Sequence, residues 1–436
     1  MNRRPLAAAA LLAPLALLCG MAPPPPDWDK DLERAAKAGN ATQSVTALEG
    51  MRDTPTTKDH VKTILKVLPA LTRREAFLAA VEALAAARGD AREEVVKGLT
   101  GGRGAPAQRV ACADALGASD DDAAPEALAK ALDDKEVPVR MAAIRALGRL
   151  QRKSCIQPLY QRLFKIPDRS GGTEVEELYR ALHHLTGQAF ETQQDWDKYF
   201  STLPDDFDPR RRPPAGDGAT TRTRSGEGKL FESEVTSRAF VLVLDISSSM
   251  RVIDLPPGQT HKDDKGKEQV YRDPGMGPPH DESRFRRAQR EFVSFLESLT
   301  PRAKFSIVVF GTRARAWPES EQLVQATDQN KRAAIQFVQG LQWEPATVTD
   351  EALEKAFAIK GSPDTIYLFS DGIPERQRAG KNEDIPQDEV IAKAQELNLV
   401  RKVRINVYGF GNLSNNVRDF LRRLAAANDG DYRDIR

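Results

Sequence analysis

The stretch Phe240-Val241-Leu242-Val243-Leu244-Asp245-Ile246-Ser247-Ser248-Ser249-Met250 decides the fold of the C-terminal half of the chain. A short, continuous apolar run that ends in polar residues is typical of a strand buried on both faces of a parallel sheet. Similar apolar runs follow at 305–310, 365–369 and 405–410, and amphipathic helices separate them. Alternating strands and helices predict a doubly wound, Rossmann-like α/β fold for residues 236–436.

Polar side chains cluster at the predicted carboxyl ends of these strands, where ligands bind in such sheets. Asp245, Ser247 and Ser249 follow the first strand, Asp371 follows the third, and Thr347 precedes a helix between them. Side chains at i and i+2 of an irregular loop can face one centre. Hydroxyl and carboxylate oxygens are hard ligands, which suit Mg²⁺, Mn²⁺ or Ca²⁺ better than zinc. The pattern therefore indicates a divalent-cation site.

Together these segments resemble the von Willebrand factor A domain and its metal-ion-dependent adhesion site, over about 200 residues. The resemblance implies that Ser247, Ser249 and Thr347 ligate the metal. It implies that Asp245 and Asp371 hold ligated waters or touch the metal directly. It also implies an open coordination position that takes an exposed Asp or Glu of a protein partner. The function that follows is binding of a carboxylate, without bond breaking.

The chain departs from that family in the threonine loop. Pro345-Ala346-Thr347 stands where the family usually has Gly-Gly-Thr, and losing both glycines removes backbone freedom. Thr349 is therefore a fallback candidate for the threonine ligand, although the spacing to the following helix favours Thr347. The missing glycines also leave open a metal-independent structural or assembly module whose metal site is degenerate.

A second departure is an insertion at 251–282, between the metal loop and the next helix. It begins at the rim of the predicted site, so we expect it to shape partner choice or to cover the metal. Its histidines, His261 and His280, leave open a hydrolase that uses them. No Gly-x-Ser-x-Gly elbow, phosphate loop or zinc helix motif appears, which argues against an enzyme.

Residues 27–200 contain an internal repeat. Residues 111–117 recur as 142–148 at an offset of 31, and each unit predicts two short amphipathic helices. The segment 137–143 resembles the short HEAT-like repeats of α-solenoids. Such an array offers a surface to protein partners and has no inherent chemistry. Residues 201–235, with Pro, Gly and charge but no apolar period, are predicted to be a linker.

The N-terminus has the pattern of an export signal. Arg3 and Arg4 precede an uncharged run at 6–18 that is short for a membrane span, so we assign residues 1–22 to a signal peptide or lipoprotein signal. Cys19 leaves lipidation open, and an uncleaved anchor is a further alternative. Membrane contact is expected only through such an anchor. We therefore expect a periplasmic, cell-envelope or extracellular protein.

The charge of the chain is balanced. Lys plus Arg total 64 and Asp plus Glu total 63, so the formal net charge is +1. This balance argues against nucleic acid as a partner, because nucleic-acid binders carry a basic patch or stripe. Three cysteines cannot hold 436 residues together as a disulfide scaffold. We expect Cys112 and Cys155 to pack as small buried hydrophobes.

Overall fold

The computed structural model describes residues 26–102, 104–211, 227–231, 233–254, 261–262, 268–269, 281–378 and 381–435. The signal assigned to residues 1–22 lies outside these ranges. Within them, no helix has the length and apolar character needed to cross a membrane.

The N-terminal part of the described chain is helical. Its α-helices are α1 (Trp28–Lys37), α2 (Ala41–Asp53), α3 (Lys58–Val67), α4 (Arg74–Ala86), α5 (Gly89–Thr100), α6 (Pro106–Gly117), α7 (Ala124–Ala131), α8 (Val137–Leu150), α9 (Ile156–Lys165), α10 (Thr173–Thr186) and α11 (Gln193–Thr202). Helices α4, α6, α8 and α10 stack in succession, and α6 and α8 begin 31 residues apart, as the repeat predicts. One apolar core runs along the array, and Cys112 and Cys155 are buried in it as free thiols.

Aromatic side chains close the last unit of the array. The ring of Trp196 is fully buried, lies 5.6 Å from that of Phe200 in a stacked arrangement, and meets Phe190 edge-on at 5.2 Å. Its indole N–H donates to the carbonyl oxygen of Phe190 at 2.9 Å. A terminal repeat has no neighbour to cover its apolar face, and this cluster supplies the cover.

The C-terminal part alternates strands and helices. The strands are β1 (Lys229–Leu230), β2 (Ser233–Glu234), β3 (Ala239–Asp245), β4 (His261–Lys262), β5 (Glu268–Gln269), β6 (Lys304–Phe310), β7 (Ala314–Trp317), β8 (Val324–Gln325), β9 (Thr365–Ser370), β10 (Glu375–Arg378), β11 (Lys381–Asp384), β12 (Arg404–Phe410) and β13 (Tyr432–Ile435). The helices are α12 (Arg284–Ser298), α13 (Asp328–Gln339), α14 (Thr349–Ala358), α15 (Gln387–Asn398) and α16 (Asn415–Ala426).

The main sheet has the strand order β13-β12-β9-β3-β6-β7, with β8 also paired to β6. Strands β3, β6, β9, β12 and β13 run parallel, while β7 and β8 are antiparallel to β6. The predicted doubly wound α/β fold is therefore confirmed. The strand order reverses at β3, between β6 and β9, and ligands of such sheets bind at this reversal beyond the carboxyl ends.

Both faces of the sheet are buried, which explains the unbroken apolar runs. On β3, Leu242 and Leu244 pack with α12 and α13, while Val241 and Val243 pack with α14, α15 and α16. A strand with helices on both faces has no solvated side, so it needs apolar residues at consecutive positions rather than at alternate ones.

The helical array docks on the amino ends of the parallel strands. Thr173, at the start of α10, donates its hydroxyl to Asp364 at 2.8 Å, just before β9. Arg404, the first residue of β12, forms a buried ion pair with Glu177 of α10. Because the array occupies this edge, the carboxyl ends of the same strands point away from it.

Two further segments contain short strand pairs, one in the predicted linker before β3 and one in the insertion after it. Residues 227–235, part of the predicted linker, contain the antiparallel pair β1–β2, and Leu230 and Val235 pack in the core beside the sheet. In the insertion, β4 and β5 pair as a short antiparallel hairpin. His280 and the side chain of His261, on which the hydrolase alternative depends, lie outside the described residues.

Candidate metal site

The loop after β3 is fixed by Asp245, the last residue of that strand. Its carboxylate is fully buried and accepts the backbone N–H of Ser247 at 2.8 Å on Oδ1. Oδ2 accepts the hydroxyl of Ser370 at 2.6 Å, from the end of the neighbouring strand β9. The first bond fixes the backbone of the loop at Ser247, and the second ties the end of β3 to the end of β9. Ser370 is a supporting residue that the sequence analysis did not identify.

Two serine hydroxyls and a second carboxylate meet beside this turn. The Oγ atoms of Ser247 and Ser249 lie 2.8 Å apart, and Ser249 donates its hydroxyl to Oδ1 of Asp371 at 2.6 Å. Asp371 follows β9, which pairs directly with β3. The parallel pairing of these two strands therefore brings the predicted residues of both loops into one place.

Thr347 reaches the same place from a third segment. Its backbone exchanges hydrogen bonds with Glu375, of 3.0 and 2.9 Å. An ideal Cβ built on Gly372 would lie 3.4 Å from Oγ of Ser249 and 3.6 Å from both Oγ1 and Cγ2 of Thr347, so the side chains of Ser249 and Thr347 border the same space beside Gly372, which we call the hollow. The Thr349 hydroxyl is buried at the start of α14 and lies 3.5 Å from the carbonyl oxygen of Thr347. The geometry favours Thr347 over Thr349 as the threonine ligand.

The threonine loop keeps a glycine-like conformation without glycine. Ala346 has φ +67°, in the left-handed region that residues with a Cβ rarely adopt. Pro345 accepts the Thr312 hydroxyl on its carbonyl oxygen at 2.7 Å, and Val348 donates its N–H to Gly311 at 3.2 Å. These bonds hold the loop. The absence of both family glycines therefore strains the backbone at Ala346 but does not displace Thr347.

We predict that Ala346→Gly stabilises the protein by about 1 kcal/mol, because it removes the left-handed strain at the cost of a more flexible unfolded chain. Chemical denaturation of the two proteins would measure the gain. Ala356→Gly, inside α14, is the matched control and should lower stability by about 1 kcal/mol or more. Equal losses in both variants would contradict strain at Ala346.

Charge at the site is negative and buried. Burial raises the pKa of Asp245 to about 7, and the neighbouring charge of Asp371 adds to this effect. Burial also raises the pKa of Asp371, against the attraction of Arg284. Two buried carboxylates whose ionisation is disfavoured by burial provide an environment in which a cation would stabilise the charged forms.

The side chains present fit a hard divalent ion. Two oxygens bound at right angles to one Mg²⁺ at about 2.05 Å lie about 2.9 Å apart, close to the 2.8 Å between the serine oxygens. The donors are hydroxyls and carboxylates, without sulfur or imidazole, which matches Mg²⁺, Mn²⁺ or Ca²⁺. Within the described ranges, this site included, no group of three or more His, Cys, Asp or Glu side chains has the arrangement of a metal site, so the candidate ligand set depends on hydroxyls as well as carboxylates.

Two charged residues at the site were missed by the sequence analysis. Arg284, the first residue of α12, donates from Nη1 to Oδ2 of Asp371 at 2.7 Å. Its Nε donates to Oδ2 of Asp254 at 2.9 Å. The only signal in the sequence is their position at opposite ends of the insertion, and this does not reveal that they meet.

Comparisons with known proteins agree with both halves of this architecture. Residues 281–434 match the model of the von Willebrand factor type A domain, and residues 93–170 match that of HEAT repeats, so both predicted resemblances are confirmed. None of the curated proteins matches the chain.

Several solved structures are similar to part of the chain. A von Willebrand factor type A protein from Catenulispora acidiphila is 21% identical, over 47% of this chain and 40% of that one, with a TM-score of 0.33. The PilB minor pilin from Streptococcus sanguinis is 16% identical, over 47% and 58%, with a TM-score of 0.32. The pilus adhesin SpaC from Lactobacillus rhamnosus GG is 11% identical, over 45% and 28%, with a TM-score of 0.30. The chain thus spans less than two thirds of each of these structures.

Proposed function

Because this chain joins HEAT repeats to a von Willebrand factor type A domain, we propose that it is an exported, non-enzymatic binding protein. Both modules typically mediate protein interactions, and type A domains are generally not enzymes. In this proposal the domain binds a divalent cation, Mg²⁺, Mn²⁺ or Ca²⁺, and captures an acidic side chain of a protein partner through it. The helical array provides a second protein-binding surface.

The observation that carries the proposal is the meeting of three loops at one hollow. Ser247, Ser249 and Thr347 present hydroxyls there, and Asp245 and Asp371 supply the negative charge. A bound divalent ion would supply a positively charged position that a carboxylate can ligate. The protein's own residues would hold the ion and would neutralise its charge only in part, because both carboxylates also accept hydrogen bonds from neighbouring donors.

The remaining features support a protein partner outside the cytoplasm. The near-zero net charge gives no field for nucleic acid, so the partner is selected at the site and not by the bulk charge. Export is proposed on the pattern of residues 1–22, with the periplasm, the cell envelope or the exterior as destination. The array contacts the amino ends of the parallel strands, so it does not itself cover the carboxyl ends where the proposed partner binds.

The proposal predicts metal-dependent capture of carboxylates. The full chain should bind a pool of Asp- and Glu-containing peptides in Mg²⁺ or Mn²⁺, and should release these peptides in chelator. It should not bind control peptides in which Asn and Gln replace Asp and Glu. Thr347→Val should abolish this binding, while Thr349→Val should retain it, because only the first removes a hydroxyl from the hollow. Biolayer interferometry would record both. Peptide binding that tolerates chelator and Thr347→Val would contradict the proposal.

A second candidate function has its own observation. The Arg284–Asp371 ion pair gives the site an internal positive charge, so the domain is able to exist as an assembly module that works without metal. A partner complex that survives chelation would favour this alternative.

A further inference from the structure

Arg284 lies between two carboxylates at the site. It is the first residue of α12, it is 7% exposed, and its guanidinium bridges Asp371 and Asp254. Asp254 also accepts the backbone N–H of Asn412 at 3.0 Å and lies 3.4 Å from Nη1 of Arg287. A guanidinium stays protonated in proteins, so this is a permanent positive charge within the site.

The end of β12 is shaped around this side chain. Gly411 has φ +85°, and an ideal Cβ built on it would lie 2.1 Å from Nε of Arg284 and 2.5 Å from Oδ2 of Asp254. Any residue with a Cβ would therefore collide with the ion pair. The arrangement thus involves four segments: the root of the insertion, the start of α12, the loop after β9 and the loop after β12.

We propose that Arg284 is an internal competitor of the divalent cation and sets how tightly the site binds it. This inference rests on the proposed metal site. Asp371 is already paired with Arg284 at 2.7 Å, so a dication beside Asp371 would meet a fixed positive charge in a poorly solvated place. Asp254 attracts the same guanidinium from the other side and so limits its hold on Asp371. Arg284 acts through Asp371 and is a positioning residue, not a ligand.

Substitutions of Arg284 and of Asp254 should change the metal affinity in opposite directions. In Arg284→Gln the repulsion disappears, and the affinity for Mg²⁺ and Mn²⁺ should rise at least about tenfold. In Asp254→Asn the guanidinium is left to Asp371 alone, and the affinity should fall severalfold. Arg287→Gln is the matched control, because Arg287 contacts Asp254 but not Asp371; its affinity should stay within about twofold of wild type.

Titration calorimetry of the full chain with each metal alone tests this, alongside melting temperatures in chelator and in saturating Mg²⁺. Arg284→Gln should melt lower than wild type in chelator, because a buried carboxylate loses its partner, and should gain more from Mg²⁺. If wild type binds the metal and Arg284→Gln binds it equally or more weakly, the inference about Arg284 is wrong while the proposed metal site stands. Binding by the variant but not by wild type would support the inference and place the natural protein in the metal-independent class. If neither wild type nor Arg284→Gln binds the metal, both this inference and the proposed metal site are wrong. If Arg284→Gln fails to fold, the metal affinity of Asp254→Asn tests the inference. A fall in affinity would support it, and an unchanged or higher affinity would contradict it.

Discussion

Asp245→Asn should reduce the affinity of the full chain for Mg²⁺ and Mn²⁺ at least about 100-fold, beyond the range seen when supporting residues of metal sites are changed. The amide retains an oxygen for the Ser247 N–H and nearly the same volume, so the β3 loop should keep its shape. What is lost is one of the two buried negative charges that attract the cation. Titration calorimetry measures the change.

Asp364→Asn is the matched control for this experiment. Asp364 is a partly buried carboxylate at the other end of the same strand: it accepts the Thr173 hydroxyl at the amino end of β9, where the array docks. Its replacement should lower stability and leave the metal affinity equal to that of wild type. Equal metal affinities in wild type and Asp245→Asn would mean that the cation binds elsewhere.

Arg404→Ala should lower the free energy of unfolding by about 3 kcal/mol, because removal of one partner from a buried ion pair leaves the other charge poorly compensated. Arg404 is 7% exposed and pairs with Glu177, which lies in α10 on the other side of the contact between array and sheet. Denaturant unfolding of the full chain measures the loss. Arg180→Ala is the control: Arg180 is half-exposed and lies 3.7 Å from Glu177, so its loss should cost about 1 kcal/mol or less.

The same ion pair makes the contact acid-sensitive. Burial raises the pKa of Glu177, but the attraction of Arg145 and Arg404 outweighs this and holds it at about 2, below the ordinary 4.5. A carboxylate with a lowered pKa stabilises the fold fully above its unfolded pKa and loses that contribution as the pH falls through the folded one. Wild type should therefore lose stability between pH 4.5 and 2 more steeply than Arg404→Ala does. Parallel pH profiles would contradict this role of Arg404.

Much of the fold was predictable because buried strands have a recognisable apolar pattern in the sequence. The runs that became β3, β6, β9 and β12 are apolar at consecutive positions, since helices cover both of their faces. The edge strands β7 and β13 were missed because they are short and carry charge, as in Ala314-Arg315-Ala316-Trp317. Edge strands are buried less, so composition marks them weakly.

Some residues of the candidate site were likewise predictable from the sequence, and others were not. Asp245, Ser247, Ser249 and Asp371 follow strands, so the strand pattern locates them near one another. Asp254 lies near the start of the insertion and Arg284 just after its end, so they are 30 residues apart in the sequence although they form an ion pair. A polar contact between distant residues leaves no periodic pattern in the sequence. For this reason the positive charge of Arg284 beside Asp371 emerged only from the structure.

The most direct test of the central claim is a crystal structure of the full chain grown in Mn²⁺, with anomalous scattering used to locate the ion. The account predicts one peak in the hollow beside Gly372, in contact with the hydroxyls of Ser247, Ser249 and Thr347. Absence of a peak there at saturating Mn²⁺, or a peak bound by other residues, would contradict the claim that this domain binds its partner through a divalent cation.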